Sequence, residues 1–245
     1  MIDTSAAHPP IVDRDTWSQA RQALLPLEKS ATRLNDAVAA QRRRLPMTPV
    51  ENYTFIGADG PVTLIDLFAG RSQLIVHHFM FDPGWEQGCA YCSDDADNAI
   101  PHLAHFAPYD VSLVRISRAP IEKLQAYSTR MGWTVPWVSA HDTTYNQDWN
   151  WTQPEGGEVS GFSVYLQVNG VPYQTYETRG RGIEILSSIA GHLDIVPYGR
   201  QELWQDVPAG WPQAEVFTQI RRHDEYVEAA PSSSRCCHEA SSATP

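Results

Sequence analysis

Residues 74–81 read Leu-Ile-Val-His-His-Phe-Met-Phe, and the rest of the fold is best understood outward from them. Apolar side chains occupy neighbouring positions here, as in a strand that is covered on both faces of a sheet. A loop rich in turn residues follows over residues 82–88, and Cys89-Ala-Tyr-Cys92 then begins a predicted helix that extends to Phe106. The sequence therefore predicts a central strand followed by a helix that starts at two cysteines.

The elements that follow alternate between strand and helix. Val111 to Ile116 is a second predicted central strand, and a helix follows from Ile121 to Met131. Asn169-Gly170 is a strong hairpin signal between two strands. The other predicted elements are a hairpin around Asp59-Gly60, a short strand at Trp137-Val138 and a closing helix from Ile183 to Leu193. This order predicts an α/β sandwich with a mixed central sheet.

The two ends of the chain differ from this domain. Residues 1–12 are a predicted disordered lead, and residues 13–46 a predicted N-terminal helical extension, which Pro26 should kink or split. Residues 47–228 form the predicted α/β domain. Residues 229–245, rich in Ser, Ala and Pro, are a predicted disordered tail, although its Cys236-Cys237-His238 could bind a soft metal ion.

Composition and charge limit the partners. The 245 residues include 18 Lys and Arg against 29 Asp and Glu, a formal net charge of -11. Such an acidic chain is a poor ligand for nucleic acid or for anionic lipid, since both need clustered cations. No secretory signal and no apolar run of roughly 20 residues is present, so we expect a cytoplasmic protein without a membrane segment. The expected partners are a small-molecule or protein thiol substrate and, for a homodimer, a second copy of the chain.

The pair Cys89 and Cys92 carries the predicted chemistry. A thiol at a helix N-terminus faces unsatisfied amide groups and the positive end of the helix dipole, which favour the thiolate. Cys89 is then the exposed nucleophile and Cys92 the buried thiol that resolves a mixed disulfide. The same spacing also lets both sulfur atoms bind one metal ion. Two ordinary buried cysteines are the structural alternative.

The residues around the two cysteines suggest which ligands and which ion a metal site would have. Acidic residues crowd the site at Glu86, Asp94, Asp95 and Asp97, where they oppose a thiolate and attract a cation. His78 or His223 would supply a third ligand, with copper the favoured ion and zinc the choice for a purely structural site. Because successive strand residues face opposite sides, only one of His77 and His78 can face the thiols. Trp85, Glu86 and Tyr91 would shape access to the site.

Motifs along residues 12–226 resemble a bacterial thioredoxin-like family catalogued as domain of unknown function 899. The motifs are Trp17 through Pro46, Leu64-Ile-Asp-Leu-Phe, His78-Phe-Met-Phe, Trp85-Glu-Gln-Gly-Cys-Ala-Tyr-Cys-Ser93, Ser117-Arg-Ala-Pro120, Met131-Gly-Trp-Thr-Val-Pro-Trp-Val-Ser139, Gly180-Arg-Gly182, Asp194 to Arg200, Trp211-Pro and Arg222-His-Asp-Glu-Tyr226. The resemblance implies a thioredoxin-like fold of the peroxiredoxin-like branch over residues 47–228. It implies no particular reaction.

One departure from ordinary thioredoxins bears on the site. Those proteins place a cis-proline before the strand that faces the cysteines. The corresponding stretch in this sequence, Val159-Ser-Gly-Phe-Ser163, contains no proline. Without that proline, the space beside Cys89 and Cys92 should be open to another ligand or a substrate. Copper-handling proteins on similar folds pair two cysteines with one histidine, which is an analogy at the level of fold.

The leading hypothesis is a redox protein, an oxidoreductase that acts through the thiols of Cys89 and Cys92 or through a bound copper ion. The competing hypothesis is a non-catalytic metal-binding or protein-interaction module on a thioredoxin-like scaffold. In that case Trp133, Trp137, Trp149 and Trp151 would line an interface or a pocket, unless they pack in the core.

Overall fold

The computed structural model describes residues 8–226, which contain eight strands in one mixed sheet. The strands are β1 (Thr48–Pro49), β2 (Thr54–Gly57), β3 (Gly60–Thr63), β4 (Gln73–His78), β5 (Val111–Ser117), β6 (Trp137–Ser139), β7 (Gly161–Val168) and β8 (Val171–Arg179). Their order across the sheet is β1-β8-β7-β4-β5-β6-β2-β3.

Strand β4 lies at the centre of the sheet, as residues 74–81 predicted. It pairs parallel with β5, where Leu74 is opposite Ser112, and antiparallel with β7, where Leu74 is opposite Tyr165. Strand β8 returns antiparallel to β7 through the turn at Asn169-Gly170. The central order β8-β7-β4-β5, with only β4 and β5 parallel, is a thioredoxin-like arrangement, so the predicted fold class is confirmed.

Five α-helices accompany the sheet in the described part of the chain. They are α1 (Arg14–Arg42), α2 (Ala90–Asn98), α3 (Ile121–Arg130), α4 (Tyr145–Asp148) and α5 (Ser188–Leu193). Helix α2 is shorter than predicted because Pro101 cannot continue a helical hydrogen-bond ladder. A 3-10 turn at Leu103–His105 takes the place of its last part.

The closing helix also differs from its prediction. A 3-10 helix at Gly180–Leu186 precedes α5, and the two are separated at Ser187. The Ser187 hydroxyl accepts a hydrogen bond from the Ala190 amide at 3.4 Å, which starts α5 as a new helix. The segment over residues 180–226 is therefore mostly irregular.

The N-terminal helix α1 begins after Asp13, whose side chain accepts a hydrogen bond from the Thr16 amide at 2.8 Å. It continues past Pro26, so of the predicted kink or split, the split is wrong. A proline removes one hydrogen bond of the ladder, and the bonds on both sides hold the helix together. No residue of α1 is buried. Residues 1–7 and 227–245, which include Cys236-Cys237-His238, lie outside the described residues.

Two apolar clusters form the core, one on each face of the sheet. One contains Val76, Tyr145, Trp151 and Tyr165, while the other contains Phe79, Cys92, Leu124 and Trp137. Each fully buried Leu or Phe side chain contributes roughly 1.5–3 kcal/mol to folding. Helices α2 and α3 cover the second cluster, so Cys92 is part of the packing on that face.

The tryptophans that the sequence offered as an interface belong to these clusters. Trp137 and Trp151 are buried, and Trp133 and Trp149 are partly buried against them. Among residues 8–226, no helix combines the length and the hydropathy that a membrane crossing requires.

Candidate active site

The loop between β4 and α2 is tied to its surroundings at several points. Arg118 pairs with Asp82 and also donates to Glu158 at 2.6 Å. The Lys123 ammonium group donates to the carbonyl oxygens of Pro83 at 2.8 Å and Trp85 at 3.0 Å. These contacts fix the backbone that carries the first cysteine into α2.

Gly88 completes this loop because no side chain fits at its position. A Cβ there would lie 2.6 Å from the Phe79 ring and 3.1 Å from the Tyr127 ring. The Gly88 carbonyl accepts hydrogen bonds from Arg222, at 2.5 Å from Nη2 and 3.2 Å from Nε. Arg222 also donates to the Tyr127 hydroxyl at 2.8 Å. A residue from the far end of the described chain thus holds the backbone next to Cys89.

Cys89 is half-buried at the cap position of α2. Its pKa is lowered to about 7, mainly by a hydrogen bond from the Cys92 thiol, against the opposing effect of burial. The backbone amides of Cys92 and Tyr91 and the charge of Arg222 lower the pKa of Cys89 further. A large fraction of this thiol is therefore ionised at neutral pH, which is the state that attacks electrophiles.

Cys92 has the opposite character. It is fully buried, and its sulfur atom accepts a hydrogen bond from the Met80 amide at 3.3 Å. Burial, followed by the hydrogen bond to Cys89 and the Cys89 charge, raises the pKa of the Cys92 thiol well above its ordinary value. The structure brings the two cysteines together with one thiol readily ionised and the other held protonated.

Ser160 lies beside Cys92, in the stretch where ordinary thioredoxins have the cis-proline. Its Oγ lies 3.3 Å from the Cys92 sulfur atom, in a hydrogen bond. No cis peptide bond occurs among residues 8–226. The space that the sequence predicted to be open is therefore partly filled, by a polar group that holds the buried thiol. Sequence reasoning named this stretch but did not assign Ser160 a role.

The acidic residues around the cysteines differ in their burial and in their hydrogen-bond partners. Asp97 accepts a hydrogen bond from Trp133 Nε1 at 2.7 Å, and Asp94 accepts one from Asn98 at 2.9 Å. Asp95 is 7% exposed, and within the described part of the chain no hydrogen bond reaches its carboxyl group. Burial, then Asp94 and Cys89, raises the pKa of Asp95 to about 7. Its charge near the thiols is therefore smaller than the sequence suggested.

A cavity of about 360 Å³ lies next to the residues that contact Cys92. Neither Cys89 nor Cys92 lines it; Met80 and Ser160, which bond to the Cys92 sulfur atom, do. Its inner end is formed by Met80, Tyr91, Asp95 and Ser160, and its outer wall comes from residues 180–226. Tyr91 packs edge-on against Phe217, with ring centroids 4.3 Å apart. Of the three predicted pocket residues, Tyr91 lines this cavity.

The other two predicted pocket residues, Trp85 and Glu86, are exposed in the loop before Cys89 and do not line the cavity. The apolar residues of the predicted closing helix were the one signal from which this cavity could have been predicted.

The two candidate histidine ligands lie apart from the thiols. His78 is on the sheet face opposite α2, where its ring stacks on Trp151 and its Nε2 lies 2.7 Å from Ser163 Oγ. His223 Nδ1 is 2.8 Å from Asp97 Oδ2. Among residues 8–226, no group of three or more His, Cys, Asp or Glu side chains is arranged to hold a metal ion. The described donors around Cys89 and Cys92 therefore do not fit a copper or zinc centre.

Comparison with known proteins gives a family. The family model described as "Bacterial protein of unknown function (DUF899)" matches residues 6–226. The chain belongs to this family. A search of curated proteins gives no match to this DUF899 sequence.

Several solved structures are similar to the DUF899 chain. A PrxQ mutant from Xylella fastidiosa is 13% identical with a TM-score of 0.43, over 60% of this chain and 95% of that one. Peroxidoxin BcpB from Mycobacterium tuberculosis is 16% identical with a TM-score of 0.39, over 54% and 79%. A secreted disulfide oxidoreductase from Mycobacterium tuberculosis is 16% identical with a TM-score of 0.35, over 56% and 92%. Likenesses this distant indicate no reaction.

Arg222→Gln should raise the pKa of Cys89 above about 7, because it removes a positive charge that favours the thiolate. The measurement is the pH dependence of Cys89 alkylation by iodoacetamide, whose midpoint should move to higher pH. Arg221→Gln is the matched control, since Arg221 carries the same charge but donates to the carbonyl oxygens of Thr218 and Ile220. Equal midpoints in both variants would show that Arg222 acts on the loop geometry alone.

Proposed function

We propose that this protein is a dithiol oxidoreductase in which Cys89 is the nucleophile and Cys92 the resolving thiol. The observation that carries the proposal is the pair itself, a half-buried thiol at the cap position of α2 and a fully buried thiol three residues later, with opposite pKa shifts. An ionised outer thiol and a protonated inner thiol are what sequential attack on an oxidised substrate requires.

With a disulfide substrate, the Cys89 thiolate attacks one sulfur atom and forms a mixed disulfide, and the other half of the substrate leaves as a thiolate that takes up a proton. Cys92 then loses its proton and attacks the Cys89 sulfur atom, which releases the second half as a thiol. The substrate gains two electrons, and Cys89 and Cys92 become joined by a disulfide bond. An external dithiol reductant restores the pair by the reverse exchange.

With a peroxide substrate, the Cys89 thiolate attacks one oxygen atom and becomes a sulfenic acid, while the other oxygen leaves as an alcohol or water after taking up a proton. Cys92 condenses with the sulfenic acid, a disulfide bond forms and water leaves. The same two thiols are oxidised in both reactions, so one reductant serves both.

The resolving step is favoured by the charge change in the first step. The Cys89 thiolate raises the pKa of both Cys92 and Asp95, and its charge disappears when Cys89 forms the mixed disulfide. The pKa of Cys92 should therefore fall once the mixed disulfide has formed, which is the stage at which Cys92 has to lose its proton. Asp95 follows Cys92 by three residues on α2 and is the acid–base group that we assign to accept this proton.

The reaction begins from the reduced dithiol, which suits a reducing compartment such as the cytoplasm. The steps are written with the two thiols alone, because residues 8–226 offer no third ligand for copper.

The test uses the full chain with Cys236 and Cys237 changed to serine, so that the tail thiols do not react. Turnover of a disulfide and of hydrogen peroxide is measured with dithiothreitol as the reductant, with and without a metal chelator. We expect chelator-independent turnover, and intact-mass analysis should show the loss of two hydrogen atoms in the oxidised protein. A chelator-sensitive activity, or an oxidised protein without a Cys89–Cys92 disulfide, would contradict the proposal.

A further inference from the structure

The cavity beside the dithiol is walled mostly by hydrocarbon. Ile183, Ala190 and Leu193 face it from the segment that carries α5, and Phe217 and Ile220 face it from the chain that follows. Apolar surface of this kind is stabilised by contact with an apolar ligand rather than with water. The shape and chemistry of this wall thus favour a hydrocarbon group as the occupant.

The two arginines that line the cavity are already paired with carboxylates, whereas Glu215 lies exposed at its edge. Arg200 bonds to Glu184 at 2.8 Å and to Asp194 at 2.6 Å, and Arg181 bonds to Glu184 at 2.8 Å. Glu202 accepts a hydrogen bond from Trp204 Nε1 at 2.5 Å. An anionic ligand would have to displace one of the carboxylates from these arginines, whereas an uncharged ligand would not.

Asp95 is the exception on the inner wall. Asp95 is 7% exposed, lines the inner end of the cavity, and its carboxyl group has no hydrogen-bond partner within residues 8–226. Met80 and Ser160, which line the same end, both bond to the Cys92 sulfur atom. The cavity therefore has one polar end, at Asp95 and Ser160 next to Cys92, and apolar walls beyond it, a layout that orients a molecule with one polar, reactive end.

We propose that this cavity binds a small uncharged organic substrate whose weak S–S or O–O bond lies at the dithiol and whose hydrocarbon group lies against Ile183, Leu193 and Phe217. The inference rests on the proposed function and names its substrate class. A volume of about 360 Å³ suits a small organic molecule and excludes a folded protein, although not an inserted side chain. The covalent steps are those given above.

The test compares an apolar and a polar substrate of each bond type. Cumene hydroperoxide is set against hydrogen peroxide, and diphenyl disulfide against cystine, with dithiothreitol as the reductant. For each pair the ratio of kcat/KM, apolar over polar, is measured in the wild type and in Ile183→Glu, which places a charge on the cavity wall. Ile185→Glu is the matched control, because Ile185 belongs to the same 3-10 helix and is 65% exposed outside the cavity.

We expect the ratio to fall about tenfold in Ile183→Glu and to stay within about twofold of wild type in Ile185→Glu. Ala190→Phe, which fills the cavity, should lower the ratio too and serves if Ile183→Glu does not fold. The two bond types show whether the physiological substrate is a peroxide or a disulfide. If the wild type turns over substrate and neither cavity variant changes its ratio of kcat/KM, the inference about the cavity is wrong and the proposed function stands. If the wild type shows no turnover, the proposed function itself is wrong.

Discussion

Cys89→Ser should reduce turnover of every substrate by about three orders of magnitude or more, to the uncatalysed rate. A serine hydroxyl does not ionise at neutral pH, so the hydrogen bond from Cys92 and the nearby amides no longer stabilise a nucleophile. Steady-state reduction of hydrogen peroxide with dithiothreitol measures the effect. Far-ultraviolet circular dichroism should be unchanged, because serine is close in size to cysteine.

Cys92→Ser is the complementary variant. Cys89 can still attack a disulfide, but nothing resolves the product, so the mixed disulfide should accumulate and appear by intact mass as protein plus half of the substrate. A variant with Cys236 and Cys237 both changed to serine should behave as wild type. If Cys89→Ser retained turnover, or if the mixed disulfide formed on Cys92, the assigned order of the two thiols would be wrong.

Gly161→Ala should lower the free energy of unfolding by about 3 kcal/mol. A Cβ at Gly161 would lie 2.3 Å from the Thr178 carbonyl oxygen and 2.9 Å from the Trp151 ring. The carbonyl belongs to the adjacent strand β8 and the ring to the core, so neither can move away without disturbing the sheet. Thermal unfolding should show a midpoint about 10 °C lower.

Gly191→Ala is the control for this substitution, because Gly191 is helical and, apart from its neighbours in the helix, no atom lies within 4 Å of the place that an added Cβ would take. Alanine should leave stability unchanged or raise it by up to about 1 kcal/mol. Gly161→Ala should also slow turnover, since Gly161 follows Ser160, which bonds to Cys92. Equal unfolding midpoints in the two variants would show that β7 and β8 can separate without cost.

The central strand and the start of α2 could be predicted because their signals are local. An apolar run as short as residues 74–81 is enough to indicate a doubly covered strand, and two cysteines after a glycine-containing loop indicate a helix start. The end of α2 was overestimated because its apolar spacing continues past Pro101, where the backbone cannot remain helical.

The surroundings of the cysteines could not be predicted in the same way. Which of His77 and His78 faces the thiols depends on how β4 sits between its neighbours, and alternation alone leaves that open. The burial of Asp95 and the contact of Ser160 with Cys92 are tertiary. Arg222 stood in a charged cluster without a clear role, and only folding brings it to the Gly88 carbonyl.

The contact between Arg222 and Gly88 joins substrate entry to the acidity of the nucleophile. The segment over residues 180–226 forms the outer wall of the cavity. Its Arg222 also stabilises the Cys89 thiolate, by a smaller amount than the hydrogen bond from Cys92 does. A molecule that displaced this segment to enter would withdraw a positive charge from the sulfur atom. The thiol would then regain its full reactivity only after the segment had closed over the bound molecule, which would protect the ionised sulfur from oxidants that do not fit.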